Sequence, residues 1–197
     1  MAAEPAKPRA SSAERVIAAA IELFDEVGYS AATIEDIRKR SGVSVGSIYH
    51  RFGSKEGIAG ELYLESLRDF QAGLLTMLRS HPGPEEGIRA GIAHHLGWID
   101  ANHARARFLM RRRETEVVRV TQPDVDLLNG ATFTGMEEWY RPLAATGAIR
   151  ELTLPLLYAI WLGSAQEYAR QALERPEPRL LEAGPALADA AWAALRP

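Results

Sequence analysis

SGVSVGSIYHRFGSKEGI, residues 41–58, is the stretch on which the reading of this chain turns. It crowds four glycines, several small hydroxyl residues, a Tyr-His pair and a Lys-Glu pair between two stretches of amphipathic helical sequence. Just upstream, Thr33 followed by Asp36 opens a short helix, TIEDIRKRS, which buries Ile34 and Ile37 and ends before Gly42. Ser44 caps the next helix, SVGSIYHRF, and Ser54 caps a longer one, KEGIAGELYLESLRDFQAGLLTMLRS, that runs to the break at His81-Pro82-Gly83-Pro84. Gly42 supplies the sharp turn between the two short helices, where a positive φ is expected. This is a helix-turn-helix pattern: the earlier helix crosses a DNA backbone and the later one lies in the major groove. Ser44, Val45, Gly46 and Ser47 are small, so the start of that helix can approach base edges and phosphates closely. Its free N–H groups and the outward Tyr49 and His50 suit phosphate oxygens. Ile48 and Phe52 face the other way and pack on the preceding helices.

Working outward, Ser11 and Glu14 form a capping-box pair for a first helix. That helix carries Ile17, Ala20, Ile21, Phe24 and Val27 on one face and stops at Gly28. Residues 1–10 are rich in Ala and Pro and read as a disordered arm. The net charge of the chain is −3, yet residues 38–55 carry Arg38, Lys39, Arg40, Arg51 and Lys55 and no acid. A basic patch on an acidic body is what local phosphate contact requires.

Downstream, apolar residues keep the helical period and no segment shows the alternation of a strand. Ile88, Ile92, His95, Leu96 and Ile99 form one stripe, and Phe108 and Leu109 mark a short helix after Asn102. Val125, Leu128, Phe133, Met136 and Trp139 populate another helix that ends near Gly147. A long helix covers about 153–174, Pro176 and Pro178 interrupt, and Leu180, Leu187, Ala191, Trp192 and Leu195 complete the chain. Gly184-Pro185 either kinks that last helix or marks its start. The expectation is an all-α protein of about nine helices, divided as 1–10, 11–56 and 57–197. Without cysteine, disulfides, thiol catalysis and cysteine-ligated zinc are excluded. No apolar run approaches the roughly 20 residues that span a bilayer, and no signal-peptide core is present, so a cytoplasmic protein is expected.

The run AAAIELFDEVGYSAATIEDIRKRSGVSVGSIYHRFGSKEGI resembles the DNA-binding domain of the tetracycline-repressor (TetR) family of transcription regulators. The resemblance extends from about Ala13 to Tyr63. It rests on an LF-x-E-x-G-Y turn, Thr33 opening the second helix, G-V-S before the third, and I-Y-x-x-F-x-S-K-E leading into the fourth. It implies that Thr33, Ser44, Tyr49, His50 and Lys55 contact phosphates and that Val45, Gly46 and Ser47 lie nearest the bases. Arg38 and Val45 depart from the family's usual small residue and polar or basic residue, respectively. Arg38 either adds a phosphate contact or stays solvated, and the Val45 methyls suit a thymine methyl.

The same resemblance implies a C-terminal domain that dimerises and encloses a small-molecule pocket. A dimer also follows from the fact that one recognition helix reads half a site, so an inverted-repeat operator is expected. Ile160, Gly163, Ser164, Tyr168, Ala188 and Trp192 on the last two helices are the candidate interface. His95, Trp98, Phe108, Phe133, Met136, Trp139 and Tyr140, with Met110, are the candidate pocket, although their spacing is equally that of an ordinary core. Adjacent His94 and His95 point about 100° apart on a helix and do not share a metal easily; no metal or cofactor is expected. Arg107, Arg111, Arg112 and Arg113 suit an anionic ligand or a solvated face. The functional expectation is a homodimeric DNA-binding regulator, a repressor released from its operator by a small-molecule effector, and not an enzyme. The alternatives are a helical regulator without a small-molecule response and an enzyme on a helical scaffold. No phosphate-binding loop, dinucleotide fingerprint or zinc-hydrolase signature supports the latter.

Overall fold

The computed structural model describes residues 10–110, 115–175 and 179–197. The arm at 1–9, Arg111, Arg112 and Arg113, and the breaks at Pro176 and Pro178 therefore lie outside the described residues. Among the described residues there are nine α-helices, one short 3-10 turn and no strand. In chain order they are α1 (Ser12–Val27), α2 (Ile34–Ser41), α3 (Val45–Phe52), α4 (Lys55–Ser80) and α5 (Pro84–Ala101). They continue with α6 (His103–Met110), α7 (Thr115–Ala145), α8 (Leu154–Leu173), the 3-10 turn (Leu180–Ala183) and α9 (Gly184–Leu195). The helices fall into two compact units, one from the residues up to Leu62 with the start of α7 through Val120, the other from the remainder. Among the described residues no helix is long and apolar enough to cross a membrane.

Local chemistry sets the helix ends of the first unit. Ser11 and Glu14 satisfy each other's backbone N–H, at 3.1 Å and 2.7 Å, as a capping box does. Thr33 and Ser44 each accept an N–H at 3.2 Å, from Asp36 and Ser47, and so start α2 and α3. Gly42 closes α2 at φ 66°, the left-handed conformation that lets the chain turn sharply into α3. The core is built from Val16, Ile17, Ala20 and Phe24 of α1, Ile37, Val43, Ile48 and Ile58. Ile34 is half-buried, and Val27, assigned to the buried face of α1, is 52 % exposed. Val27 is the last residue of its helix, and the chain turns at Gly28 before another helical turn can cover it.

The second unit is organised around α5. Ile88, Ile92, Leu96 and Ile99 meet Leu157, Trp161, Ala165 and Ala169 of α8, with Ala188, Ala191 and Leu195 of α9 in the same core. The small residues of α5 admit rings: a Cβ at Gly87 would strike Trp139 and one at Gly91 would strike Trp161. The two indoles stack at 5.4 Å, and their N–H groups donate to the carbonyls of His81 and Ile88. Gly184-Pro185 marks the true start of α9, with Leu180–Ala183 forming a separate 3-10 turn before it.

Candidate functional site: a nucleic-acid interface and a cavity

The outer face of α3 carries small or donor-bearing side chains with little protein around them. Ile48 is buried at 1 % exposure and holds the helix down, while Ser44, Gly46, Ser47, Tyr49 and His50 are exposed and Val45 is half-buried. Gly46 is the informative position. Glycine in a helix costs up to about 1 kcal/mol relative to alanine, yet a Cβ at Gly46 would meet nothing within 4 Å. Gly57, by contrast, is required by the fold, because a Cβ there would collide with the Phe52 carbonyl oxygen. Packing within the chain therefore accounts for Gly57 and does not account for Gly46.

The basic residues around this face are largely paired. Arg38 makes two bonds to Glu35 at 2.7 Å and 2.8 Å, and Arg40 makes two to Glu26 at 2.7 Å each. Arg51 reaches Glu61 at 3.3 Å. Arg38 holds the Glu35 carboxyl, and Arg40 the Glu26 carboxyl, below the usual range, chiefly through the arginine hydrogen bonds. Residues 10–62 carry six Lys and Arg against eight Asp and Glu, so the +5 of the short segment is answered by its surroundings.

Two of the residues carried over from the family pattern are engaged internally. The Thr33 hydroxyl accepts a hydrogen bond from the Asp36 N–H and donates one to the Asp36 carboxylate. Lys55 donates to the carbonyls of Tyr29 and Ala32 at 2.9 Å and of Ser30 at 3.4 Å, and lies 4.4 Å over the Tyr29 ring. An ammonium has three hydrogens, so this geometry uses Lys55 as a tie between the α1–α2 loop and α4. Lys39, of the same basic segment, is exposed on α2.

The second unit contains a cavity of about 500 Å³. Its walls include Leu67 and Phe70 of α4, His95 and Trp98 of α5, Met110 of α6 and Tyr158 of α8. Of the expected pocket residues, His95, Trp98 and Met110 line it. Phe108 instead packs edge-on against Tyr63 at 6.5 Å, and Phe133, 39 % exposed, lies against Tyr158. Met136 is fully buried in the core, Trp139 stacks on Trp161, and the Tyr140 hydroxyl donates to the Arg150 carbonyl at 2.8 Å. Those residues share the helical period of the cavity residues but are used for packing. Reasoning from sequence missed Leu67, Phe70 and Tyr158, which in sequence look like ordinary apolar helix positions; a stripe on α4 at Tyr63, Leu67 and Phe70 was the available signal.

Residues 16–62 match the family described as "Bacterial regulatory proteins, tetR family". The likeness to the tetR family is thus shown for the helix-turn-helix region, residues 16–62. The chain is similar to the transcriptional regulator BetI of Vibrio parahaemolyticus, with 38% identity over 68 residues, 34% of each chain. The match thus spans about a third of that relative's length. The fold is that of the fatty acid degradation regulator FadR from Bacillus halodurans, at TM-score 0.79 and 21% identity, covering 96% of this chain and 99% of that one. FadR from Bacillus subtilis, solved in complex with stearoyl-CoA, gives TM-score 0.76 and 20% identity over 90% and 96% of the two chains.

The candidate interface residues of the second unit are distributed as follows. Ala188 is buried in the unit's own core, whereas Ile160, Tyr168 and Trp192 are half-buried against it. Ser164 is exposed, and a Cβ at Gly163 would meet nothing within 4 Å.

Proposed function

We propose that the protein is a sequence-specific DNA-binding transcriptional regulator, a repressor released from its operator by a small-molecule effector. Gly46 carries the reading. A glycine with ordinary φ, no internal neighbour and a place on the exposed face of α3 serves an outside surface that comes close to the helix backbone. The major groove of DNA is such a surface. Val45 and Ser47 flank it toward the bases, and Ser44, Tyr49 and His50 supply hydrogen-bond donors for phosphate, together with the N–H groups of the first helical turn.

One α3 reads one half-site, so the working form is a homodimer on an inverted repeat, with half-sites about 34–36 Å apart. Ile160, Gly163, Ser164, Tyr168 and Trp192 on α8 and α9 form its interface in this reading. The cavity holds the effector, as the stearoyl-CoA complex of the Bacillus subtilis neighbour supports. A coupling of about 1–3 kcal/mol between the two sites changes operator affinity roughly 5- to 150-fold. The protein acts in the cytoplasm and performs no catalysis of its own.

Selection of bound sequences from a pool of random duplexes, at two salt concentrations, tests this. An inverted repeat supports the reading. Sequence-independent binding that disappears steeply with salt removes it.

A further inference from the structure

His95 is a buried polar side chain without a partner. It is 4 % exposed, on α5, and among the described residues neither Nδ1 nor Nε2 has a hydrogen-bond partner. Its neighbour His94 is accounted for by packing: its Nε2 pairs with the Phe70 carbonyl oxygen at 3.0 Å, and its ring covers Gly73 and stacks on Phe70. His95 meets the same Phe70 edge-on at 5.4 Å and gains no hydrogen bond from it. A neutral imidazole carries one N–H donor and one lone pair, and leaving either buried and unmet is unfavourable. A leucine or phenylalanine would fill this position without that cost. His95 also lines the cavity, which is where a compensating group can enter.

The rest of the cavity defines that group. Leu67, Ile99, Leu109 and Met110 offer only apolar contact, while Tyr158 and Gln166 add an uncharged hydroxyl and amide to the lining. Arg170 and Glu167 stand on the lining, but they are bound to each other by two hydrogen bonds of 2.7 Å and 2.9 Å, and Arg170 also holds Glu174 at 3.1 Å. An anionic ligand would find that cation already neutralised and a carboxylate beside it. Burial, with a smaller contribution from His94, lowers the His95 pKa to about 4, so the ring is uncharged at neutral pH. Both features disfavour a carboxylate ligand and favour an uncharged one.

We propose that the cavity takes a neutral, largely apolar molecule bearing a carbonyl or hydroxyl oxygen, and that His95 is the side chain that hydrogen-bonds that oxygen. This names the class of effector and rests on the regulatory reading only for its consequence at the operator.

The test is a thermal-shift and calorimetric titration of the full chain at pH 7.5 with 2-undecanone, 1-undecanol and undecanoate. Wild type, His95→Phe and His95→Gln are compared. The ketone and the alcohol are expected to bind at least about tenfold tighter than the carboxylate of the same length. His95→Phe is expected to fold with an unfolding midpoint no lower than wild type, because it removes the unmet nitrogens, and to lose about tenfold in ketone affinity. His95→Gln, which keeps a donor and an acceptor, retains part of that affinity. Carboxylate binding as tight as the ketone, unchanged ketone binding by His95→Phe, or no binding of any of the three probes overturns the proposal. Operator selection without probe is scored separately. An operator with no probe binding sinks this inference alone, and probe binding without an operator sinks the regulatory reading alone.

Discussion

Lys55 places its ammonium 4.4 Å over the ring of Tyr29 and donates to the carbonyl oxygen of the same residue at 2.9 Å. Lys55 opens α4 and Tyr29 follows the end of α1, so one side chain fixes two parts of the chain that are distant in sequence. Lys55→Met keeps the aliphatic stem and removes the charge. Unfolding in denaturant is expected to show a loss of about 1–3 kcal/mol, from unmet carbonyls and the lost cation–π contact. At a temperature where both proteins are folded, operator affinity is expected to change less than threefold. A large loss of affinity at unchanged stability would instead make Lys55 a phosphate ligand.

Gly46→Ala separates the needs of the fold from those of DNA. Stability is expected to rise by up to about 1 kcal/mol, because the helix gains propensity and the new methyl meets no neighbour. Operator affinity is expected to fall about tenfold or more. Tyr49→Phe, at a position 51 % exposed, removes one hydroxyl donor. It is expected to weaken the operator complex about 2- to 10-fold with stability unchanged within about 0.5 kcal/mol. Filter binding beside thermal unfolding reads both effects; unchanged affinity in both variants would move the interface off α3.

The pairing of Arg38 with Glu35 and of Arg40 with Glu26 predicts a shallow salt dependence, because cations already neutralised displace few counterions from DNA. Glu35→Gln releases Arg38. The slope of log affinity against log salt is then expected to steepen by about 0.9 for each half-site where Arg38 reaches a phosphate. An unchanged slope assigns Arg38 to the solvated face.

Acid weakens the second unit through His95. The folded ring resists protonation until about pH 4, whereas the unfolded ring takes a proton near its ordinary 6.5. The unfolded state thus binds more protons in this window, and stability falls as pH drops from about 6.5 toward 4, by roughly 1.4 kcal/mol per unit at most. Above that window the ring is neutral in both states and contributes no slope. Unfolding midpoints at pH 7 and pH 5 are expected to separate less in His95→Phe than in wild type; equal separation would show that other groups set the acid response.

Two glycines on α5 give an internally controlled packing test. Gly91→Ala forces a methyl into the Trp161 indole and is expected to cost about 1–3 kcal/mol, while Gly97→Ala, with nothing within 4 Å of the new atom, is expected to stabilise by about 0.5–1 kcal/mol. Denaturant unfolding of the two variants against wild type decides it. A neutral Gly91→Ala would mean that the indole stack yields easily.

The first four helices were legible because short-range chemistry governs them. Ser11 with Glu14, Thr33, Gly42 and Ser44 act on backbone groups within four residues, and such caps and turns can be read along the chain. The exposed side of α3 followed from Ile48 on its buried side. Long-range pairing was not legible: Arg40 with Glu26, or Lys55 with the carbonyls around Tyr29, depends on how the helices meet. The cavity belongs to the same class. His95, Met136, Trp139 and Tyr140 all sit at helical apolar positions, and periodicity gives them equal claim to a pocket. Sequence by itself determined the all-helical class, the ends of the first four helices and the DNA-reading motif, because those depend on neighbours along the chain. Tertiary structure alone decided which apolar positions fill space and which border it, because a void is the difference between packed surfaces and has no signature on any one helix.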